Sequence, residues 1–417
     1  MAQLSADCFA HGGALMSLED ALALIEERTE VVAGIESVPL TEALGRILAE
    51  DVIARFAVPP HPNSAVDGYA VRFEDLSLDH ETLLRIGGRA AAGHPERRAL
   101  GPGEAVRIFT GAVMPEGADT VLMQEDCRIE GDRVAIPPGI KRGANRRRAG
   151  EDVEAGAVAL AAGARLRPQE IGLAAALGQA SVPVRRPLRA ALFSTGDELQ
   201  EPGQAPAPGR IYDSNRYTLA ALLAGLQVSV TDLGILPDRE PVIREALRRA
   251  AEEHDLILTS GGVSVGEEDH VKAAVEALGA LHVWRLAIKP GRPIALGQVG
   301  RVPFVGLPGN PVAAMVTFLR IVRPLILKLM GARDRRPPLF RVRAGFDYRK
   351  KAGRREWVRV SLVSDGAGGL EARKFPREGA GILSSMVASD GLAELPEDLT
   401  RLEPGTMVDV LPFAEVL

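Results

Sequence analysis

Three short apolar runs in this chain each stop at a turn built from glycine and polar or rigid residues, and this repetition constrains the fold more than any other feature. The richest lies between His254 and His270. There Leu256, Ile257 and Leu258 read as a buried strand that spills into Ser260-Gly261-Gly262-Val263-Ser264-Val265-Gly266. Glycines in such a loop let backbone N–H groups approach an oxyanion with no Cβ in the way, and Ser260 and Ser264 add hydroxyl donors. Glu267, Glu268 and Asp269 follow at once, and phosphate donors beside carboxylates point to a metal bridging the two. The alternative reading is a glycine-rich strand-to-helix turn with no ligand.

Two companions favour the ligand reading. Arg189 to Phe193 opens into Ser194-Thr195-Gly196-Asp197-Glu198, and Val302 to Val305 opens into Gly306-Leu307-Pro308-Gly309-Asn310-Pro311. Three strand ends of this kind define one edge of an open α/β sheet, where ligands bind. Asp213-Ser214-Asn215 offers N-cap chemistry before an apolar-periodic stretch from Tyr217 to Leu226. Pro241 to Ala251 and Val271 to Leu278 read as two more amphipathic helices. Strand and helix thus alternate from about residue 188 to 330, which predicts a mostly parallel sheet with helices on both faces. The glycine spacing is neither Gly-x-Gly-x-x-Gly nor a P-loop, so a nicotinamide or ATP site is disfavoured.

Elsewhere the chain changes character. Ser17 with Asp20 three residues on reads as the cap of a helix carrying Leu18, Leu22 and Ile25 on one face. Thr41 is expected to cap a second helix running through Ala49, and Pro168 to open one through Leu177. The cluster Pro59-Pro60-His61-Pro62 marks entry into a small β-rich segment, with Ala105 to Ile108 and Thr120 to Met123 among its strands. From Pro337 onward short strands such as Trp357 to Val363, with turns at Asp365-Gly366 and Glu403-Pro404-Gly405, predict a small β-barrel or sandwich. The basic residues Arg349, Lys350, Lys351, Arg354 and Arg355 read either as a solvated hairpin tip or as a patch steering an anionic substrate.

Composition sets outer limits. A chain of 417 residues divides into several domains. Its net charge of −5 gives no general attraction to nucleic acid. Cys8 and Cys127, the two cysteines, suit a reducing cytoplasm and exclude a disulfide framework. The segment from Met1 to Met16 lacks a basic start and a long apolar core, so a signal peptide is not expected. The apolar stretch from Phe318 to Met330 is interrupted by Arg320, Arg323 and Lys328, which argues against a membrane span.

Taken together, the Ser260–Gly266 loop and the turns Ser194–Leu199 and Gly306–Pro311 resemble the cofactor-binding domain of the molybdopterin molybdenumtransferase family. The likeness continues upstream in Pro59-Pro60 with Ser64-Ala65-Val66-Asp67-Gly68-Tyr69-Ala70, and in Phe109-Thr110-Gly111-Ala112 with Pro115 to Val121. Gln124-Glu125, Asn145 with Arg147, and Gly150-Glu151-Asp152 follow in order, so the resemblance covers roughly residues 17 to 417. Three positions depart from the family pattern: Val66 for a usual Met, Arg146 for an aliphatic residue, and His270 for a common Tyr.

The resemblance implies a multidomain chain of α/β plus β class. Its parts would be an N-terminal extension over 1–16, expected to be flexible, and a discontinuous helical linker domain over 17–58 and 150–187. A small β-rich domain over 59–149, a central three-layer α/β molybdopterin-binding domain over 188–336 and a β-barrel-like domain over 337–417 complete it. It further implies insertion of molybdate into adenylylated molybdopterin with release of AMP and with Mg²⁺ present. Catalytic positions carried over are Asp67, Thr110, Asp152, Glu198, Asp238 and Asp269, with Glu198 and Asp269 as metal ligands. Ligand-binding positions are Thr195, Gly196, Ser260, Gly261, Gly262, Ser264, Gly266, Lys289, Arg292, Pro308, Gly309, Asn310 and Pro311. Asp67, Asp152 and Asp238 could equally be turn formers or caps, and Lys289 a surface cation.

The implied partners are a second copy of the chain sharing each cleft, a separate molybdopterin adenylyltransferase upstream, and apo-molybdoenzymes or their chaperones downstream. Such a reaction needs no protein nucleophile, since the substrate carries its own sulfurs, and the seven histidines form no evident triad. Two other readings are a scaffold of the same domain set with weak catalysis, and a related enzyme for another phosphorylated ligand. Acidic residues intact in every motif favour the first enzyme.

Overall fold

A computed structural model describes residues 15–261, 270–366 and 368–416, and the chain packs as two compact units. One unit comprises 51–161 with 168–182; the other holds the remainder.

The larger unit is organised by a six-stranded sheet in the order Ser229–Leu236, Arg189–Thr195, Leu256–Ser260, Val302–Leu307, Pro293–Val299 and Gly279–Arg285. The first four strands run parallel, and the last two add antiparallel edges. All three apolar runs read from the sequence are therefore neighbouring strands at the centre. Their side chains divide by parity, as a pleated strand buried on both faces requires. Ala190, Leu192, Leu256, Leu258 and Val305 join one core, while Ala191, Phe193, Ile257 and Phe304 join the other. Helix Ser214–Gly225 and the helical run from Pro311 to Leu329 cover the first face, and helices Glu240–Glu253 and His270–Leu278 cover the second. Each fully buried Leu or Phe contributes about 2 kcal/mol, so this three-layer packing holds the sheet in register behind its loops.

Strand order reverses beside Arg189–Thr195. The chain leaves that strand for Ser229–Leu236 on one side and returns to Leu256–Ser260 on the other. A doubly wound sheet opens a crevice at such a point, outside the carboxyl ends of the two strands.

The C-terminal region is a closed five-stranded barrel. Arg355–Ser364, Leu370–Lys374, Phe340–Ala344, Met407–Pro412 and Gly391–Leu395 pair in that order, and the last returns to the first through Trp357↔Glu394 and its neighbours. The short strand Ile288–Lys289 lies parallel on the barrel, opposite Arg355 and Glu356. Of the basic run expected at a hairpin tip, Arg349 and Lys351 are exposed, whereas Lys350, Arg354 and Arg355 are half-buried and bonded. Lys350 donates to the carbonyls of Pro396 (2.7 Å) and Leu399 (2.8 Å), and Arg355 pairs with Glu394 (2.8 Å).

The smaller unit carries a six-stranded sheet in the order Thr120–Met123, Gly68–Val71, Glu104–Ile108, Thr82–Ala90, Arg133–Ile136 and Arg128–Glu130. Gly68 is required at its position, because a Cβ there would sit 1.7 Å from the Leu122 carbonyl oxygen.

Helix Leu18–Arg28 forms as expected, with Ser17 accepting from the Asp20 N–H and Leu18, Leu22 and Ile25 buried. The helix expected from Thr41 does not form. A single 3₁₀ turn, Leu40–Glu42, is capped by Ala43, and Gly45 just after it adopts φ +78° and donates to the Leu166 carbonyl at 2.7 Å. Past that left-handed residue Ile47 and Leu48 make strand-like bridges to Arg165 and Val184, so tertiary pairing takes the backbone groups a helix would use. No helix among the described residues is long and apolar enough to cross a membrane.

At the edge of the sheet opposite the crevice, Asp255 accepts two bonds from Arg186, each 2.8 Å, and a further bond from the Arg189 N–H. Burial pushes its carboxyl up, but these donors outweigh that and bring it down to about 2. The folded-state value is depressed, so the contribution is present above the unfolded value and is lost as pH falls through about 4 toward about 2. Asp255→Asn is predicted to lower unfolding free energy by about 2 kcal/mol at neutral pH. Urea melts at descending pH check this: the gap between variant and parent should close in acid, and a pH-independent gap would contradict the assignment.

Candidate active cleft

Register brings the sequence-predicted loops together. Ser194 is level with Ser260, and Ser260 with Leu307, so the three turns leave the sheet side by side. Thr195 Oγ1 donates to Asp238 Oδ1 at 3.3 Å, joining the ends of the first two parallel strands. Gly261 adopts φ +89°, and a Cβ on it would stand 3.2 Å from the Thr195 carbonyl oxygen. Close approach at the reversal point thus depends on glycine.

Asn215 ties the other two turns. Its buried Nδ2 donates to Ser260 Oγ and to the Gly309 carbonyl, both at 2.8 Å. The sequence reading placed Asn215 only in an N-cap; Asp213 is the cap, accepting from the Arg216 N–H at 3.1 Å. Because Ser260 accepts from Asn215, its hydroxyl proton remains available to a ligand. Gly262, Ser264, Gly266 and Asp269 lie outside the described residues.

These loops form one wall of a cleft of about 560 Å³, with Glu198, Gly261, Pro308, Gly309 and Asn310 facing it. The Lys289–Pro293 segment and the barrel residues Tyr348, Glu356, Arg359, Lys374 and Glu378 close the rest. Helix Pro311–Thr317 begins behind this wall, and its Val312 N–H donates to the Ala380 carbonyl of the barrel region at 2.9 Å.

Charge in the cleft divides into pairs and remainders. Lys289 pairs with Glu356 at 3.2 Å and Lys374 with Glu378 at 3.0 Å. Arg359 donates to the Gly379 (2.7 Å) and Arg377 (3.2 Å) carbonyls, and burial pulls its guanidinium below the ordinary value. Arg292 and Glu198 have no ion-pair partner among the described residues. Two cations facing the cleft, the exposed Arg292 and the buried Arg359, thus lack a carboxylate partner among the described residues, an arrangement that attracts an anion. Among the described residues Glu198 remains a hard oxygen donor uncommitted to any side chain, and such a donor fits a hard cation held against a phosphate.

In the smaller unit Asp67 and Thr110 meet directly. Thr110 donates to Asp67 Oδ1 twice, from its N–H and its hydroxyl, each at 2.7 Å. Those bonds, the backbone one first, with the charge of Arg107, hold the Asp67 carboxyl below the usual range. Oδ2 accepts no bond among the described residues and stays open to a ligand. Asp152 is exposed in the same unit, its N–H donating to the Val58 carbonyl at 3.0 Å, and it shares no hydrogen bond with Asp67 or Thr110.

The fold and the cleft define a multidomain chain with a three-layer α/β core and a C-terminal barrel that together line one cleft. Comparison with known proteins gives the family. Family models match residues 16–178 (MoeA N-terminal region, domains I and II), 191–328 (probable molybdopterin binding domain) and 341–413 (MoeA C-terminal region, domain IV). A molybdopterin molybdenumtransferase of Haemophilus influenzae is 40% identical over 97% of this chain and 100% of its own length. One from a Nostoc species is 38% identical over 90% of this chain and 88% of its own. The crystal structure of a molybdopterin biosynthesis MoeA protein from Pyrococcus horikoshii superposes with a TM-score of 0.82 at 31% identity, covering 95% of this chain and 99% of that one. The chain belongs to the molybdopterin molybdenumtransferase family.

Asn215 gives this subsection its test. Asn215→Ala removes both bonds of the clamp and should cost about 1–3 kcal/mol. Amide hydrogen exchange should speed up at 256–261 and 307–311 while the barrel strands keep parental protection; unchanged exchange at both turns would show that the clamp does not hold them.

Proposed function

We propose that this protein inserts molybdate into adenylylated molybdopterin and releases AMP, giving molybdenum cofactor. Family membership over nearly the whole chain supports this, and the observation that carries it is the cleft where Gly261, Asn310 and the unpaired Arg292 and Arg359 face one space. Backbone amides and the cations that face the cleft offset the Coulomb repulsion between a phosphorylated pterin and a molybdate oxyanion, which is the main obstacle to bringing them together. Lys289 adds a third positive centre, and barrel residues line the other side of the cleft.

Mg²⁺ belongs to the same proposal. Glu198 would hold it, with Asp269 as the second carboxylate expected from the sequence, and the ion would supply charge neutralisation at the phosphate. Asp238, bonded to Thr195, holds the first turn. Thr110 keeps Asp67 ionised with Oδ2 open.

The working form in this proposal is a cytoplasmic homodimer in which each cleft draws residues from both subunits, a reading that rests on the resemblance to the family. A separate adenylyltransferase would deliver the pterin and apo-molybdoenzymes or their chaperones would receive the product.

Purified protein with adenylylated molybdopterin, molybdate and Mg²⁺ should release AMP and reconstitute an apo-molybdoenzyme; no release with any molybdate concentration would overturn the assignment. Glu198→Gln should lower turnover at least about tenfold and raise the Mg²⁺ needed. An unaltered Mg²⁺ dependence would remove Glu198 from the metal site. Mixing Asp67→Asn with Glu198→Gln subunits should restore roughly a quarter of parental activity if clefts are shared. With subunit exchange demonstrated, activity no higher than in the single variants would contradict the shared cleft.

A further inference from the structure

Lys289 owes its position to another domain. It sits on a two-residue strand whose register sets it directly opposite Glu356 of the barrel. Glu356 is 1% exposed, an unusual place for a carboxylate, and it is fully engaged there. It accepts from Lys289 Nζ at 3.2 Å, from the Tyr348 hydroxyl at 2.9 Å and from Arg354 Nε at 2.6 Å. Lys289 also donates to the Tyr348 hydroxyl at 3.2 Å and lies over the Tyr348 ring, 5.8 Å from its centre. Lys374 lies against the same ring at 5.3 Å.

Within this arrangement the Lys289 ammonium is half in the cleft and half in the barrel wall, its side chain 44% exposed. Burial opposes its charge; the cleft around it also carries the cations Arg292, Arg359 and Lys374 and the further acids Glu198 and Glu378. Glu356 is the carboxylate that contacts it.

We infer that Glu356, assisted by Tyr348, is a positioning residue for the cleft: it holds the Lys289 ammonium in place and charged, so that the α/β loops meet their anion with a cation anchored from the barrel. The inference deepens the proposed function and rests on it where the ligand is named. Its electrostatic content stands apart from that reading. Burial alone would lower the Lys289 ammonium, yet the bonds to Tyr348 and Glu356 bring it above the ordinary lysine value, and Glu356 itself lies below the ordinary carboxylate range. Removing the carboxylate leaves only the Tyr348 hydroxyl to oppose burial, so the ammonium loses its proton at lower pH than in the parent.

The test compares the parent with Glu356→Gln, which keeps the shape and an acceptor but removes the charge, and with Tyr348→Phe, which keeps the ring and removes one donor and acceptor. Competitive acylation of Lys289, read by mass spectrometry across about pH 7 to 11, measures its protonation with no ligand present. Molybdopterin affinity over the same range gives the functional readout. The midpoint of acylation should move to lower pH in both Glu356→Gln and Tyr348→Phe. Affinity should fall little near pH 7 and roughly tenfold near pH 10 in Glu356→Gln, a pH-dependent loss that a purely structural defect would not produce. An unmoved acylation midpoint in both variants overturns the inference, and so does a moved midpoint with affinity equal to the parent at every pH. If the parent itself fails to bind molybdopterin, the proposed function is at fault, and the acylation profiles still decide whether Glu356 sets the charge of Lys289.

Discussion

The cleft depends on the register of three parallel strands. With Ser194, Ser260 and Leu307 level across the sheet, the turns that follow share one edge and their backbone groups face one space. A slip of one residue in Leu256–Ser260 would exchange Leu258 and Ile257 between the two cores and turn Ser260 away from Asn215. The hydrophobic division of the sheet therefore fixes the polar geometry. Helices on both faces bury each parity class separately, and that burial makes any other register costly.

Polar contacts then convert an aligned edge into a site. Asn215 spans from a helix to two turns, Thr195 reaches Asp238, and Glu356 reaches across from the barrel to Lys289. Each of these bonds lies in a buried or half-buried place, where a missing partner is penalised more than in water. Arg359 shares that buried setting, while Arg292 faces the same cleft from an exposed position. In the smaller unit the logic is local: Thr110 occupies one oxygen of Asp67 and leaves the other open.

Much of the architecture was legible in the sequence because it is encoded by short-range pattern. Apolar runs ending in Gly261, Gly196 and Pro308-Gly309 are central strands, and the alternating segment from Trp357 belongs to a barrel strand. Family motifs located Asp67 and Thr110, which the fold joins. The failures have a common cause. Thr41 looked like a cap, but Gly45 and pairing to Arg165 and Val184 decided that segment. Asn215 and Glu356 went unnoticed as site residues because their partners are 45 and 67 residues away, a relation no local periodicity records. The basic run at 349–355 showed its charge in the sequence but not its carbonyl and carboxylate partners.

The central claim is that the crevice at the strand reversal, closed by the barrel, is where the pterin substrate is held. Amide hydrogen exchange with and without adenylylated molybdopterin addresses it directly. Protection is predicted at 195–198, 260–261, 288–292 and 308–312, together with barrel segments 356–359 and 374–380. Protection absent from all of these segments, with substrate bound, would contradict the account.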